Sequence, residues 1–199
     1  MPDPDKSVFI NCPYDAEYET LFDALVFTIV CCGLSPRCAT ESGTVSEARM
    51  ERIFEAIFGS NYSIHDLSRC RGEGEQMLAR FNMPLELGIA LTRRRAADRN
   101  AAPHDWLVLV PENAPYERFL SDLKAFDLTK YDGTADTLVR RVMAWLFTRP
   151  GVVPGVKPSD VIKALPEFRN AKIALKSEWS DMIPWPMLVE AAVKHAPHA

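Results

Sequence analysis

The sequence predicts an α/β fold, a parallel sheet of five strands with helices on both faces, followed by a C-terminal helical extension. Short apolar runs of strand length alternate five times with longer segments in which apolar residues recur every three or four positions. Apolar residues make up 47% of the 199 residues, enough for a substantial core. Proline and glycine cluster at 150–155, which divides the chain into an α/β domain at 7–149 and an extension at 150–199.

Five short segments of the α/β domain are predicted to be strands. In chain order they are 7–11, 34–39, 61–67, 106–110 and 126–129. The second contains Pro36, which cannot donate a hydrogen bond to a neighbouring strand, so we expect it near an edge of the sheet. Strand–helix alternation implies right-handed crossovers, and five such units suit the flavodoxin-like strand order 2-1-3-4-5.

Helices are predicted between the strands and again in the extension. The predicted helices of the α/β domain are 17–32, 46–58, 84–94, 116–124 and 134–147. Three shorter helices are predicted in the extension, at 160–165, 170–180 and 187–195. Its residues Trp179, Ile183, Trp185 and Leu188 are too apolar for a free tail. We therefore expect the extension to pack on the α/β core or on a neighbouring subunit.

Composition argues against several classes of protein. The formal net charge is −4 without a basic block, which does not suggest a nucleic-acid binder. The longest apolar run, 24–34, is shorter than the ~20 residues needed to span a bilayer, and the acidic, proline-containing N-terminus is unlike a signal peptide. Five cysteines without metal-ligand spacing fit a reducing compartment. We expect a soluble cytoplasmic protein without a metal site, and we interpret Arg93–Arg95 as a solvated face.

Polar side chains follow the first and third predicted strands. In a doubly wound sheet, ligands bind beyond the carboxyl ends of the strands where the strand order reverses, which here is between strands one and three. The side chains expected at that point are Asn11, Tyr14, Asp15, Asp66, Ser68 and Glu86. Structural alternatives stay open for three of them: Asp15 as a helix cap, Asn11 as a turn residue and Ser68 as a helix start. Glu86 lies in a helix first turn, where the helix dipole also favours an anion.

A pair of carboxylates without metal ligands or a Ser-His nucleophile suits chemistry at an anomeric carbon. Cleavage of an N-glycosidic bond passes through an oxocarbenium-like centre, which an adjacent anion stabilises. His65 is expected on the opposite face of its strand from Asp66, and we interpret it as a structural histidine. The first strand is not followed by a Gly-x-Gly-x-x-Gly dinucleotide motif, and the sequence contains no phosphate-binding P-loop.

Two motifs resemble a known group of proteins. Asp66-Leu67-Ser68 and the stretch Asn82–Ala90 resemble bacterial TIR-like domains and the nucleoside 2-deoxyribosyltransferase-like group. The shared pattern Asn-x-x-x-Glu-Leu-Gly matches Asn82, Glu86, Leu87 and Gly88, and the likeness covers residues 7–147. The resemblance implies a flavodoxin-like fold. It also implies hydrolysis of NAD+ at the nicotinamide–ribose bond, in antiviral defence and under activation by oligomerisation.

The resemblance also implies roles for individual residues. Glu86 would be the catalytic glutamate with Asp66 as the second catalytic carboxylate, and Asp66 and Ser68 would line the sugar pocket. The other substrate-binding residues would be Asn11, Tyr14, Asp15, Asn82 and Met83. NAD+ would be the substrate, with no further cofactor, and the protein would form a homo-oligomer. Two alternatives stay open: a nucleoside or nucleotide N-glycosidase or 2-deoxyribosyltransferase, and a catalytically silent TIR-like interaction module.

Overall fold

A five-stranded sheet forms the centre of the protein. The computed structural model describes residues 3–41, 48–69, 81–96, 104–112, 122–123, 126–180 and 182–197. The strands are β1 (Ser7–Asn11), β2 (Ser35–Cys38), β3 (Tyr62–Asp66), β4 (Asp105–Pro111) and β5 (Thr129–Tyr131). Their order is β2-β1-β3-β4-β5 and every neighbouring pair is parallel. The predicted α/β fold and strand order are therefore confirmed, and the strand containing Pro36 lies at an edge.

Helices cover both faces of the sheet. The α-helices of the described residues are α1 (Glu19–Cys31), α2 (Arg49–Phe58), α3 (Asn82–Ala96), α4 (Ala135–Leu146), α5 (Pro158–Trp179) and α6 (Trp185–His195). Alternate strand residues face opposite sides. Ile10 and Ile64 pack with α1 and α4, whereas Phe9 packs with α2 and α3. Because both faces are covered, β1 and β4 carry apolar residues at successive positions, which makes these two strands recognisable as short apolar runs.

The predicted boundaries of most elements shift by one to three residues, and the largest differences concern α5 and β5. The helices predicted at 160–165 and 170–180 are one continuous helix, α5, with Pro166 in its interior. A proline removes one backbone hydrogen bond, and the packing of Phe168 against Phe27, with rings stacked 5.1 Å apart, supports the helix just beyond it. The fifth strand begins at Thr129 rather than ending there. The helix predicted at 116–124 lies outside the described residues, apart from 122–123.

The extension packs on the core of its own chain. Phe168 of α5 and Leu188 and Ala192 of α6 are buried in the same apolar cluster as Phe27 of α1. This is one of the two packings expected from the sequence. Trp179 and Met182 stay exposed. No helix in the described part of the chain is long and apolar enough to cross a membrane.

Polar contacts reinforce the packing of α5 on α1. Lys172 forms a buried ion pair with Asp23 and a second one, at 2.9 Å, with Glu19. Arg169 donates a hydrogen bond to the backbone oxygen of Thr20 at 2.9 Å. The extension therefore forms part of the wall of the α/β domain near the carboxyl end of β1, where a ligand site is expected.

Candidate active site at the carboxyl edge of the sheet

The ends of β1 and β3 lie side by side at the point where the strand order reverses. Asn11, the last residue of β1, is the register partner of His65 in β3. The helix α3 begins at Asn82 over this edge, two residues before the predicted start, so Glu86 lies beyond its first turn rather than within it. The predicted residues from β1, β3 and α3 are thus brought to one edge of the sheet, although their side chains take different positions there.

The side chain of Asn11 connects three elements. Its Nδ2 donates to the backbone oxygen of Met83 in α3 at 2.8 Å and to Nδ1 of His65 in β3 at 2.8 Å. An amide has two N–H donors, and both are used here. Asn11 is 1% exposed. Instead of facing the nucleotide, as the resemblance implied, it holds the start of α3 against the ends of two strands.

A buried hydrogen-bonded chain continues from Asn11 along the sheet. His65 Nδ1 accepts from Asn11, so His65 is the neutral tautomer whose Nε2 donates to Ser63 Oγ at 2.7 Å. Ser63 Oγ also lies 2.9 Å from His104 Nε2, and His104 Nδ1 contacts the backbone oxygen of Ser60 and the guanidinium of Arg93. Burial lowers the pKa of His65 to about 3 and that of His104 to about 4. The geometry agrees with a structural role for His65.

Asp66 is fully buried on the other face of the sheet. Its Oδ2 accepts hydrogen bonds from the hydroxyls of Tyr18 at 2.7 Å and Tyr131 at 2.6 Å, and its Oδ1 accepts one from the backbone N–H of Ser68 at 2.7 Å. Burial raises its pKa, although these hydrogen bonds act in the opposite direction.

The expectation that Asp66 lines a sugar pocket together with Glu86 is therefore corrected. Residues 65 and 66 point to opposite faces, and α3 covers the face of His65. Asp66 instead shares its face with Ile64, on the side of α1 and α4. The structure assigns Asp66 to the framework that shapes this edge, through Tyr18, Tyr131 and Ser68.

Glu86 is a buried carboxylate at this edge, and one of its two oxygens has no hydrogen-bonding partner among the described residues. The residue is 4% exposed, and its Oε2 has no partner among the described residues. Burial raises the pKa of Glu86 to about 7, while the positive charge of Arg49 at the start of α2 acts to lower it. A carboxylate that is desolvated and has a free oxygen is ready to interact with a positive centre.

Glu86 lies close to the end of β1. Burial, followed by the charges of Asp66, Cys38 and Glu86, raises the pKa of the Cys12 thiol. Tyr14 turns its hydroxyl inward to donate to the backbone oxygen of Ile10 at 2.9 Å. The pKa of that phenol is raised by burial first, with a contribution from Glu86. The Glu86 carboxylate is therefore within electrostatic reach of the loop that follows β1.

The same loop forms one wall of a cavity of about 900 Å³. Tyr14 and Asp15 line it, with Thr40 and Glu41 beyond β2, and Trp185 closes it from the extension. Asp15 also accepts from the backbone N–H of Tyr18 at 3.0 Å and pairs with Arg69 at 3.0 Å. The N-cap of α1 is Tyr18, so Asp15 closes the turn before the helix rather than capping it, and it also lies in the cavity wall.

The three remaining predicted residues differ in exposure. Ser68 Oγ is buried and has no hydrogen-bonding partner among the described residues. Asn82 is exposed at the start of α3. The Met83 side chain is buried in an apolar cluster with Leu67 and Leu87, so its polar contact in this site is the backbone oxygen bound by Asn11.

Sequence reasoning missed the hydroxyl partners of Asp66 and the Ser63–His104 connection. Tyr18 lies in the first turn of the predicted helix 17–32, and Tyr131 lies beyond the predicted fifth strand. Their partnership spans 48 and 65 residues of sequence, respectively, so no local spacing signals it. The one local signal is a tyrosine in an otherwise apolar pattern, because a buried hydroxyl needs a partner.

No protein-family model matches the chain, and the search of curated proteins finds no match. Among the described residues, no group of three or more His, Cys, Asp or Glu is arranged to hold a metal ion. The features that bear on function are therefore the geometry of the carboxyl edge and the Asn82–Ala90 motif.

Proposed function

We propose that the protein is an N-glycosyl hydrolase of the TIR-like type, which cleaves the nicotinamide–ribose bond of NAD+. The observation that carries the proposal is Glu86, a buried carboxylate beside the switch point of the sheet, with one oxygen that has no partner in the part of the chain that the structure describes. Its raised pKa results mainly from lost hydration, so a positively charged group docking against it would favour its ionised form. NAD+ carries such a charge on its pyridinium ring.

In the proposed reaction Glu86 acts as the stabilising anion. The bond between the ribose C1′ and the nicotinamide nitrogen breaks, and its electron pair goes to the ring nitrogen, so nicotinamide leaves neutral without needing a proton. The positive charge that develops at C1′ is stabilised by the adjacent carboxylate. Water then adds to C1′ and releases one proton, which gives ADP-ribose.

The cavity beside Tyr14 supports a substrate larger than a nucleoside. Its volume, about 900 Å³, lies in the range of about 300–1,000 Å³ usual for ligand pockets. Trp185, Phe22 and Tyr14 supply aromatic surface, while Asp15 and Glu41 supply hydrogen-bond acceptors. In this proposal the cavity holds the part of the dinucleotide that does not react.

The experiment compares Glu86→Gln with Glu167→Gln, which changes an exposed carboxylate on α5. Removing one such electrostatic interaction should lower nicotinamide release by roughly 10²–10³. Glu167→Gln should retain full activity. In addition, NAD+ should raise the melting temperature of Glu86→Gln without being consumed. Full activity in a folded Glu86→Gln protein would overturn the assignment.

The alternatives give different products in the same assay. Release of a free base from deoxynucleosides, or its exchange with a second base, would indicate a glycosidase or deoxyribosyltransferase. An interaction module would neither cleave NAD+ nor be stabilised by it. A cytoplasmic role in antiviral defence and activation by oligomerisation are part of the proposal through the resemblance alone. The rate of nicotinamide release should then rise more than in proportion to protein concentration. Over the same concentrations, sedimentation should show a larger oligomer.

A further inference from the structure

A second large cavity lies at the opposite edge of the sheet from Glu86. Its volume is about 1010 Å³, and four segments line it. They are the end of α3 with Arg94 and Arg95, the start of β4 with Asp105 and Trp106, residues 126–129, and the end of α4 with Trp145 and Arg149. We call it the amino-edge cavity. Arg94 is eight residues beyond Glu86 in the same helix, about 12 Å along its axis.

Two arginines of this cavity are stacked on tryptophans. The guanidinium of Arg94 lies 4.9 Å from the ring centre of Trp106, and that of Arg149 lies 5.2 Å from the ring centre of Trp145. Phe126 meets Trp106 edge-on at 5.9 Å. Stacking fixes the planes of both guanidinium groups, which lowers the entropy lost when they bind an anion.

Among the described residues, the hydrogen-bond acceptors in the cavity use only some of the N–H donors of its arginines. Asp105 accepts from Arg94 at 3.1 Å and from the backbone N–H of Trp106 at 3.0 Å, and its other oxygen pairs with Arg149. Each guanidinium carries five N–H donors. Arg149 Nε is buried without a partner among the described residues, and Arg95 adds a third positive charge. The three arginines face two carboxylates, those of Asp105 and Asp127.

We propose that the amino-edge cavity binds a small nucleotide-class anion, an aromatic base that carries a phosphate. Arg94, Arg95 and Arg149 supply donors for the phosphate, because planar guanidinium groups match phosphate oxygens in pairs. The base stacks on the arginine and indole planes, as nucleobases do on both kinds of surface. A free phosphate would use the arginines alone, and a nucleic acid would need a longer basic surface than a chain of net charge −4 provides here.

This site is separate from the proposed NAD+ chemistry, so its test needs no catalytic activity. The probe is adenosine monophosphate, titrated into the full chain by calorimetry and by tryptophan fluorescence. Trp106 and Trp145 are two of the four tryptophans, so binding should change the emission directly. We expect saturable binding with a Kd below about 1 mM that Trp185→Leu leaves unchanged, because Trp185 lines the other cavity, which is proposed to hold the same part of NAD+. Adenosine and inorganic phosphate should each bind at least about tenfold more weakly.

Point variants test whether adenosine monophosphate binds in the amino-edge cavity. Arg95→Gln should weaken it roughly tenfold, and Trp106→Leu should weaken it by a similar factor. Arg141→Gln, which changes an exposed arginine elsewhere on α4, and Glu86→Gln should leave it unchanged. Since Arg95 is exposed, its variant keeps the test valid if Trp106→Leu fails to fold. Absence of saturable binding, equal affinity in folded Arg95→Gln, or loss of binding in Glu86→Gln would each overturn the proposal.

Discussion

Lys172 of α5 and Asp23 of α1 form an ion pair that is almost completely enclosed between the extension and the α/β core. Burial raises the pKa of Asp23, although the nearby Lys172 acts to lower it. The pair therefore depends on both partners: each ion compensates for the water that the other has lost.

Lys172→Met should lower the free energy of unfolding by about 3–5 kcal/mol, because it leaves the Asp23 carboxylate buried without its partner. The double variant Lys172→Met/Asp23→Leu should recover most of this loss, since both charges are then absent. Urea unfolding measures the three proteins, and Lys163→Met, at an exposed position of α5, is the control. Equal stability of Lys172→Met and the control would contradict the packing of α5 described above.

Stability should depend on pH through Glu86. Its pKa is raised from 4.5 to about 7 in the folded protein, so the unfolded chain loses this proton at lower pH. The raised pKa of Glu86 therefore adds to the free energy of unfolding. This contribution is fully present below pH 4.5 and is lost as the pH rises to about 7. The shift corresponds to about 3 kcal/mol. Glu86→Gln should therefore be more stable than the native protein at pH 8, by up to about 3 kcal/mol, and should lose this advantage near pH 4.5.

Melting curves of both proteins at pH 4.5 and pH 8 test this difference, with Glu167→Gln as the matched control. The control should follow the native protein at both pH values. A Glu86→Gln protein that is less stable than the native one at pH 8 would show that the carboxylate has partners that stabilise its ionised form.

His65 and His104 should change stability with pH in the direction opposite to Glu86, so that stability falls as the pH falls. Their pKa values are lowered from 6.5 to about 3 for His65 and about 4 for His104, so the unfolded chain takes up protons first as the pH falls. Stability is fully present above pH 6.5 and is lost below it. Urea midpoints between pH 7 and pH 4, measured in the Glu86→Gln background to remove the opposing titration, should fall steadily. Midpoints that stay constant would mean that the histidines are not held neutral.

Variants of the two tyrosines that bind Asp66 distinguish a structural role of Asp66 from a catalytic one. Tyr131→Phe removes one hydrogen bond to its carboxylate and should cost about 1.5–3 kcal/mol in the free energy of unfolding. The double variant Tyr18→Phe/Tyr131→Phe leaves Oδ2 without either hydroxyl and should cost more than Tyr131→Phe alone. Chemical denaturation supplies the values. If both proteins kept native stability and lost activity instead, Asp66 would belong to the chemistry.

The sequence predicted the strands and their order because these depend on local patterns. Apolar runs and intervening helices define a parallel sheet, and Pro36 marks an edge. Glu86 could also be located from its motif, although α3 begins two residues earlier than predicted and places Glu86 beyond the first turn. These features need only neighbouring residues and the general rules of α/β folds.

The rest of the site depends on contacts between distant residues. Asn11 and Met83 are 72 residues apart, and only the packed structure shows that their hydrogen bond occupies the amide expected to face a ligand. Asp66 was expected to face the same pocket as Glu86 because both residues lie at one edge of the sheet. Residues at one edge can nevertheless point to opposite faces of the sheet. The side chain of Ile64 points the same way as that of Asp66, toward α1 and α4, so the alternation along β3 contained this information once the helices were placed.

The stacked rings of Phe27 and Phe168 also bear on how the chain can be divided for experiments. The proline- and glycine-containing stretch at 150–155 is an obvious place to end an expression fragment. A fragment that ended there would present the apolar surface of α1, including Phe27 and the unpaired Asp23, to water. The stretch is thus a boundary in composition but not in folding, and domain exchanges or fusions made at this point should carry α5 and α6 along with the sheet.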